Sequence, residues 1–199
     1  SDVCSSDLFI SMKKFKNCIL SLSAVLLLAS CSGGTNVSIG VGNGKIPDDA
    51  IYANFSVADS FKAGYKISGK FTAKKNANLE TNYVFAIADS DPVFSSSYNE
   101  SILLRLTGDM MKATKKSNGT YGGVKFSIQL TNLSSYFTKT SESKDVYFVL
   151  RDENYTDRTD ITKVNSSHFN YTFDGTTVRI AHARSEERRV GKECRSRWS

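Results

Sequence analysis

The sequence is poor in the residues from which catalytic and metal centres are commonly built. Its 199 residues contain two histidines, His168 and His182, and four cysteines. Neither a Gly-x-Ser-x-Gly nor a His-Glu-x-x-His motif occurs, and no cysteines or histidines have metal-ligand spacing. A lone histidine at a strand end is more often solvated than catalytic. We therefore expect no catalytic residue, no metal centre and no cofactor.

Long apolar runs are also missing. The longest covers residues 19–28, about ten positions, whereas a helix that spans a bilayer needs roughly twenty. Lys13, Lys14 and Lys16 precede this run, and a Gly- and Ser-rich segment follows it. A short apolar run behind a positively charged start is typical of a secretory signal peptide, which we assign to residues 12–30.

The apolar run ends in Leu28-Ala29-Ser30-Cys31, which resembles the lipobox of bacterial lipoproteins. The resemblance implies cleavage between Ser30 and Cys31 and attachment of a diacylglyceryl group to the Cys31 thiol. Ser32 stands where an Asp would favour retention in the inner membrane, so the resemblance implies the outer membrane of a Gram-negative cell. We expect a cell-envelope protein held at the membrane by lipid on Cys31.

Two flanking segments, residues 1–8 and 184–199, resemble translated sequencing-adapter DNA. We interpret residues 1–11 as artefact and upstream read-through, and residues 184–199 as artefact. The formal net charge of +6 then falls to +2 for residues 31–183, because the tail contributes +3, the head −2 and the leader +3. A charge this small argues against a nucleic-acid partner, which requires a concentrated basic field.

The predicted domain contains no cysteine. Cys4 and Cys194 fall in the flanks and Cys18 in the leader, which leaves Cys31 as the lipid acceptor. No disulfide is expected, although the envelope permits them, so the hydrophobic core alone must hold the domain. Residues 31–49 are rich in Gly, Ser and Asn and are predicted to form a flexible tether, with an edge strand over residues 37–41 as the alternative.

From residue 50 onward, apolar residues recur at every second position, which is the period of β-strands. Only residues 110–113 suggest a helical turn. Seven or eight short strands predict an all-β fold for residues 50–183, an antiparallel β-sandwich with an immunoglobulin-like Greek key, or alternatively a small β-barrel. Residues 126–130 and 146–150 resemble the E and F strands of immunoglobulin-like domains.

The last hairpin carries the most specific local signal. Asp174-Gly175 is typical of a two-residue hairpin turn. This turn predicts three facing pairs with all apolar members on one side of the sheet: Phe173 with Thr176, Tyr171 with Val178, and Phe169 with Ile180.

Two acidic loops offer candidate calcium ligands, Asp89 and Asp91 in the first, and Asp152 and Asp157 in the second. Their spacing is not that of an EF-hand, and ordinary polar turns use the same residue types.

Two functions remain open. The first is a non-enzymatic binding, adhesion or envelope-structural module that recognises a protein or glycan ligand. The alternative is an envelope hydrolase in which Asp89, Asp152 or Glu153 serve as general acid and base.

Overall fold

The structure, a computed structural model, describes residues 34–39, 48–92, 95, 97–155 and 164–183. The predicted signal peptide, the cleavage and lipidation site at Ser30 and Cys31, and both predicted artefact segments lie outside these residues. The described elements are β1 (Gly34–Ile39), β2 (Ile51–Ala58), β3 (Ser60–Lys62), β4 (Tyr65–Ala73), β5 (Tyr83–Ala88), β6 (Glu100–Leu106), α1 (Gly108–Lys112), β7 (Val124–Leu130), β8 (Thr140–Asp152), β9 (Val164–Phe173) and β10 (Thr177–His182).

The strands form two antiparallel sheets. One sheet has four strands in the order β1-β2-β4-β7, and the other has six in the order β3-β10-β9-β8-β5-β6. Within the described residues α1 is the one α-helix, and it includes residues 110–112 of the helical turn predicted at residues 110–113. The prediction of an all-β antiparallel fold is confirmed.

Phenylalanine rings from the two sheets meet between them. The Phe55 and Phe71 rings of the four-stranded sheet lie 5.2 and 5.8 Å from the Phe85 ring of the six-stranded sheet. Phe148 adds a further contact to Phe55, at 5.1 Å between ring centroids. These side chains are 4 % exposed or less. Face-to-face packing of two inner apolar surfaces is the arrangement of a β-sandwich.

The alternating pattern of β4 places its residues as the sequence predicts. Ile67 and Phe71 are fully buried, whereas Lys66 and Lys70 are exposed. Gly69 shares the inner face, directly between Phe55 of β2 and Phe126 of β7. A Cβ at Gly69 would meet the Asn54 carbonyl oxygen and lie 2.6 Å from Phe126 Cζ, so the close packing there requires glycine.

The two sheets are linked at one side by a strand that changes sheet. β2 belongs to the four-stranded sheet and β3 to the six-stranded one, with only Asp59 between them. The Tyr65 hydroxyl accepts a hydrogen bond from the Ala58 amide, 2.8 Å, at this corner. The chain therefore passes directly from one sheet to the other at this corner, between β2 and β3.

The prediction of a flexible tether over residues 31–49 is wrong for residues 34–39. These residues form β1, which pairs with β2 from Gly34 opposite Ala58 to Ile39 opposite Ala53. Val37 and Ile39 are 3 % and 1 % exposed, so they belong to the core. The alternative of an edge strand is correct here, because burial of these side chains outweighs the glycine-rich composition.

The predicted register of the last hairpin is wrong by two residues. Phe173 faces Val178 rather than Thr176, and Tyr171 faces Ile180. The Asp174 carboxylate accepts hydrogen bonds from the Thr176 and Thr177 amides, which widens the loop beyond two residues. A shift of two preserves the faces, so the apolar side chains are buried as predicted.

Strands β7 and β8 are consecutive in the chain but lie in opposite sheets. β7 pairs with β4, and β8 pairs with β5, so these two pairings join strands that are distant in sequence. The E and F strands of immunoglobulin-type sandwiches also follow one another in opposite sheets. Between β7 and β8, Leu133 is buried and Tyr136 packs on the core.

Candidate functional site

The exposed side chains on the outer surface of the four-stranded sheet are polar, and the charged ones are all lysines. We call this surface the lysine face. Its four strands contain no Asp or Glu. The exposed members that define it are Asn36, Ser38, Asn54, Ser56, Lys66, Ser68, Lys70, Lys125, Ser127 and Gln129.

Strand pairing arranges these side chains in rows across the sheet. In one row Asn54 stands opposite Lys70, and Lys70 stands directly opposite Lys125. In a neighbouring row Ser68 Oγ donates to Ser127 Oγ at 3.1 Å. Facing residues of an antiparallel pair have their Cβ atoms about 5 Å apart, so Lys70 and Lys125 place two like charges side by side.

Two surface depressions lie along this sheet. The first, of about 310 Å³, is lined by residues of β1, β2 and β4, including Asn36, Ser56 and Lys70. The second, of about 450 Å³, lies at the far end of β4 and includes Lys74 and Tyr121. Both are open to solvent and are lined in part by polar side chains, among them Asn36, Ser56 and Thr72, which suits a ligand that lies on the surface.

A third depression, of about 750 Å³, lies beside the last hairpin. Its lining includes Lys139, Glu142 and Arg179, so both signs of charge are present. Arg179 Nη1 lies 3.6 Å from Asp174 Oδ2. Hydrogen bonds from the Thr177 and Thr176 amides, in that order of importance, lower the pKa of Asp174.

The structure separates the acidic residues that the sequence singles out. Asp89 follows the end of β5, whereas Asp152 faces Tyr83 at its start. At about 3.4 Å per residue these carboxylates are roughly 20 Å apart. Carboxylate pairs that share one glycosidic bond lie within about 9.5 Å of each other. Asp89 and Asp152 therefore do not form one calcium site or one acid–base pair.

Each of these carboxylates is engaged in its own loop. Asp89 accepts hydrogen bonds from the side chain and backbone of Asn99, at 2.8 and 2.9 Å. Partial burial acts to raise the pKa of Asp89, but the hydrogen bonds from Asn99 and Ser90 outweigh it and lower the pKa. A general acid needs the opposite shift.

The remaining acidic candidates hold loops or lie elsewhere. Asp152 accepts from the Asn154 amide at 2.8 Å, and Glu153 accepts from Asn82 and pairs with Arg105. Ser166 Oγ donates to Asp91 at 3.4 Å. Asp157, the fourth calcium candidate, lies outside the described residues. Within the described part of the chain, no three His, Cys, Asp or Glu side chains form a group suited to a metal ion.

The two histidines lie on opposite faces of the six-stranded sheet. His168 stacks on Tyr147, 4.5 Å between centroids, and its Nε2 lies 2.8 Å from Asp145 Oδ1. His182 packs on Phe169, and its Nε2 lies 3.2 Å from Ser167 Oγ. Sequence reasoning missed the Ser167–His182 contact, because it depends on the register of β9 and β10. Neither side chain lines any of the three depressions described above.

No helix within the described residues has the length and apolarity to cross a membrane. Comparison of the chain with protein-family models, with curated proteins and with solved structures finds no match.

Proposed function

We propose that this chain is a lipid-anchored protein of the bacterial envelope that displays an immunoglobulin-like β-sandwich as a non-enzymatic binding module. The observation that carries the proposal is the sequence Leu28-Ala29-Ser30-Cys31 behind a short apolar run with a basic start. The pattern resembles a signal peptide with a lipobox, which implies removal of the leader and attachment of a lipid to Cys31. Ser32 after the cysteine favours the outer membrane of a Gram-negative cell.

The fold supports this proposal in two ways. β1 begins at Gly34, so the folded domain starts three residues after the proposed lipid acceptor. The aromatic core between the sheets is held without any cysteine in the described residues. A domain stabilised by its own core can be displayed at the end of a lipid anchor.

Metabolic labelling with an alkyne-bearing fatty acid tests the proposal. The wild-type chain expressed in a Gram-negative bacterium is expected to take up label, and Cys31→Ser is expected to take up none. Cys18→Ser is the matched control, because Cys18 lies in the leader and its loss should leave labelling unchanged. Label retained in Cys31→Ser, or absent from the wild type, would contradict the proposal.

A second candidate function, hydrolysis, has one observation in its favour. His182 Nε2 lies 3.2 Å from Ser167 Oγ, and His182 Nδ1 lies 3.1 Å from the Ala183 carbonyl oxygen. This contact resembles that of a serine nucleophile and its base. Labelling with a fluorophosphonate distinguishes the two functions. If the chain is a hydrolase, the wild type should be labelled and Ser167→Ala should not. If it is a binding module, Ser167→Ala should not change the labelling.

A further inference from the structure

Among the residues that the structure describes, the lysines of the lysine face have no acidic partner. The ion pairs found among the described residues involve Arg105, Lys112, Arg151, His168 and Arg179, and none involves a residue of the four-stranded sheet. Lys70 and Lys125 also face each other, which costs stability in the isolated protein. An anion bound between or over them would remove that cost.

The uncharged side chains of this face add hydrogen-bond donors. Ser38 Oγ donates to Asn54 Oδ1 at 2.6 Å, and Ser56 Oγ donates to Asn36 Oδ1 at 2.8 Å. These bonds occupy the amide oxygens and leave the amide nitrogens of Asn36 and Asn54 without a partner among the described residues. With the lysine ammonium groups, the face presents mainly donors, which match the acceptor-only oxygens of phosphate groups.

The lysine face lies in the sheet closest in sequence to the anchor. β1, its edge strand, begins three residues after Cys31. A fully extended chain covers at most about 3.6 Å per residue, so the proposed lipid attachment is within roughly 11 Å of Gly34. Lipidation of Cys31 would therefore tether this sheet near the bilayer.

We propose that the lysine face binds the phosphodiester headgroups of the membrane that holds the anchor. The inference rests on the proposed function, because the anchor on Cys31 is what brings the sheet to the bilayer. Lys66 and Lys70 are four residues apart on one strand, about 14 Å, so their charges spread over several headgroups. Each lysine contributes little alone, but an acyl anchor and a basic patch together hold a protein firmly at a membrane.

Vesicle binding by the full chain tests this proposal. Cys31→Ser removes the lipid attachment and is combined with Lys66→Gln, Lys70→Gln and Lys125→Gln. The matched control carries Lys62→Gln, Lys139→Gln and Lys144→Gln, which remove the same charge from residues outside the four-stranded sheet. The leader is present in every variant, so its own membrane affinity cancels. Vesicles of phosphatidylcholine with and without the anionic lipid phosphatidylglycerol are compared at low and high salt.

Loss of the three lysines of the lysine face is expected to weaken binding to the anionic vesicles by roughly 100-fold at low salt. The control variant should stay within about threefold, and neither variant should matter on uncharged vesicles. Equal loss in both variants, or unchanged binding in the first, overturns the proposal. Binding to a soluble acidic polysaccharide but not to anionic vesicles also overturns it. Because Cys31 is replaced throughout, none of these results depends on whether Cys31 is lipidated, which fatty-acid labelling decides separately.

Discussion

The outer faces of the two sheets use their charges differently. On the six-stranded sheet, the Arg151 guanidinium pairs with Glu100, with Nε 3.1 Å from Oε2, and the two side chains are 12 % and 18 % exposed. Hydrogen bonding to Glu100 raises the pKa of Arg151. Arg105 pairs with Glu153, and His168 contacts Asp145. On the lysine face, Lys66, Lys70 and Lys125 have no such partners among the described residues.

This difference separates charges that stabilise the fold from charges that are available to a partner. Both outer faces consist of the residues that alternate along each strand with the side chains of the shared core, although Val84, Ala86 and Val149 on the outer side of the six-stranded sheet are buried as well. The six-stranded sheet pairs Arg105 and Arg151 with glutamates, so removal of these acidic partners should cost stability. The strands of the four-stranded sheet contain no acidic residue, so removal of their lysines should cost binding and not stability.

The shared core gives the largest expected effect. Phe85 contacts Phe55, Phe71 and Phe126 of the four-stranded sheet and Phe148 of its own. Phe85→Ala should lower the free energy of unfolding by about 3–5 kcal/mol in denaturant titrations. Ile102→Ala, at a side chain 40 % exposed, is the control and should have a much smaller effect.

Unfolding of the wild type should occur in one transition, because the two sheets share these rings. Two separate transitions, each assigned to one sheet, would show that the sheets unfold independently and do not share one core.

Gly69→Ala should give the next largest effect, about 1–3 kcal/mol of destabilisation. The new Cβ would approach Phe55 Cβ to 2.7 Å and the Asn54 carbonyl oxygen more closely still. Ser68→Ala, on the lysine face one residue earlier, should leave the melting temperature nearly unchanged. Equal melting of both variants would mean that the inner side of this sheet is not closely packed.

Glu100→Gln should destabilise by about 1–2 kcal/mol, because Arg151 loses a charged acceptor at a mostly buried position. Glu142→Gln is the control, since Glu142 is exposed and has no ion pair among those found in the described residues. Thermal unfolding measures both variants. A Glu100→Gln protein as stable as the wild type would show that this ion pair of the six-stranded sheet does not stabilise the fold.

Lys70→Gln should have the opposite sign and stabilise the protein by about 0.2–1 kcal/mol, because the like charge facing Lys125 is removed. The gain should shrink at high salt as the repulsion is screened. Lys66→Gln, whose residue faces Gln129, should show no such gain. A destabilised Lys70→Gln protein would mean that this lysine supports the fold.

The smallest expected effect is a pH dependence at the last hairpin. The pKa of Asp174 is lowered by hydrogen bonds from the Thr177 and Thr176 amides. Its stabilisation is therefore complete above the unfolded-state pKa of about 3.9 and is lost as the pH falls through the lower folded-state value. Asp174→Asn keeps an acceptor but not the charge, so its melting temperature should approach that of the wild type on acidification. A constant difference between pH 6 and pH 2.5 would contradict this account.

The sequence predicts local features of this fold better than long-range ones. The buried and exposed faces of β4 follow directly from the alternation of apolar and polar residues along this strand. The predicted hairpin register is wrong because the Asp174 carboxylate accepts hydrogen bonds from two backbone amides and so widens the loop. The Asp-Gly signature does not reveal these bonds. β1 was predicted as a tether because its pairing with β2 is not visible in a glycine-rich composition.

Only part of the lysine face can be predicted from the sequence. Lys66 and Lys70 alternate with apolar residues, so their exposure is predictable. That Lys125 faces Lys70 depends on the pairing of β4 with β7, which are more than fifty residues apart along the chain. The Ser167–His182 contact likewise requires the register of β9 and β10.

The central claim is that the lysine face, and not the opposite face, lies against the membrane. It is tested most directly with the lipidated protein in vesicles that contain phosphatidylglycerol and a headgroup-linked quencher. A fluorophore is attached at Ser68→Cys on the lysine face or at Thr172→Cys on the outer face of the six-stranded sheet, each in a Cys194→Ser background. The account predicts strong quenching at position 68 and little at position 172. Equal quenching at both positions, or stronger quenching at 172, would contradict it.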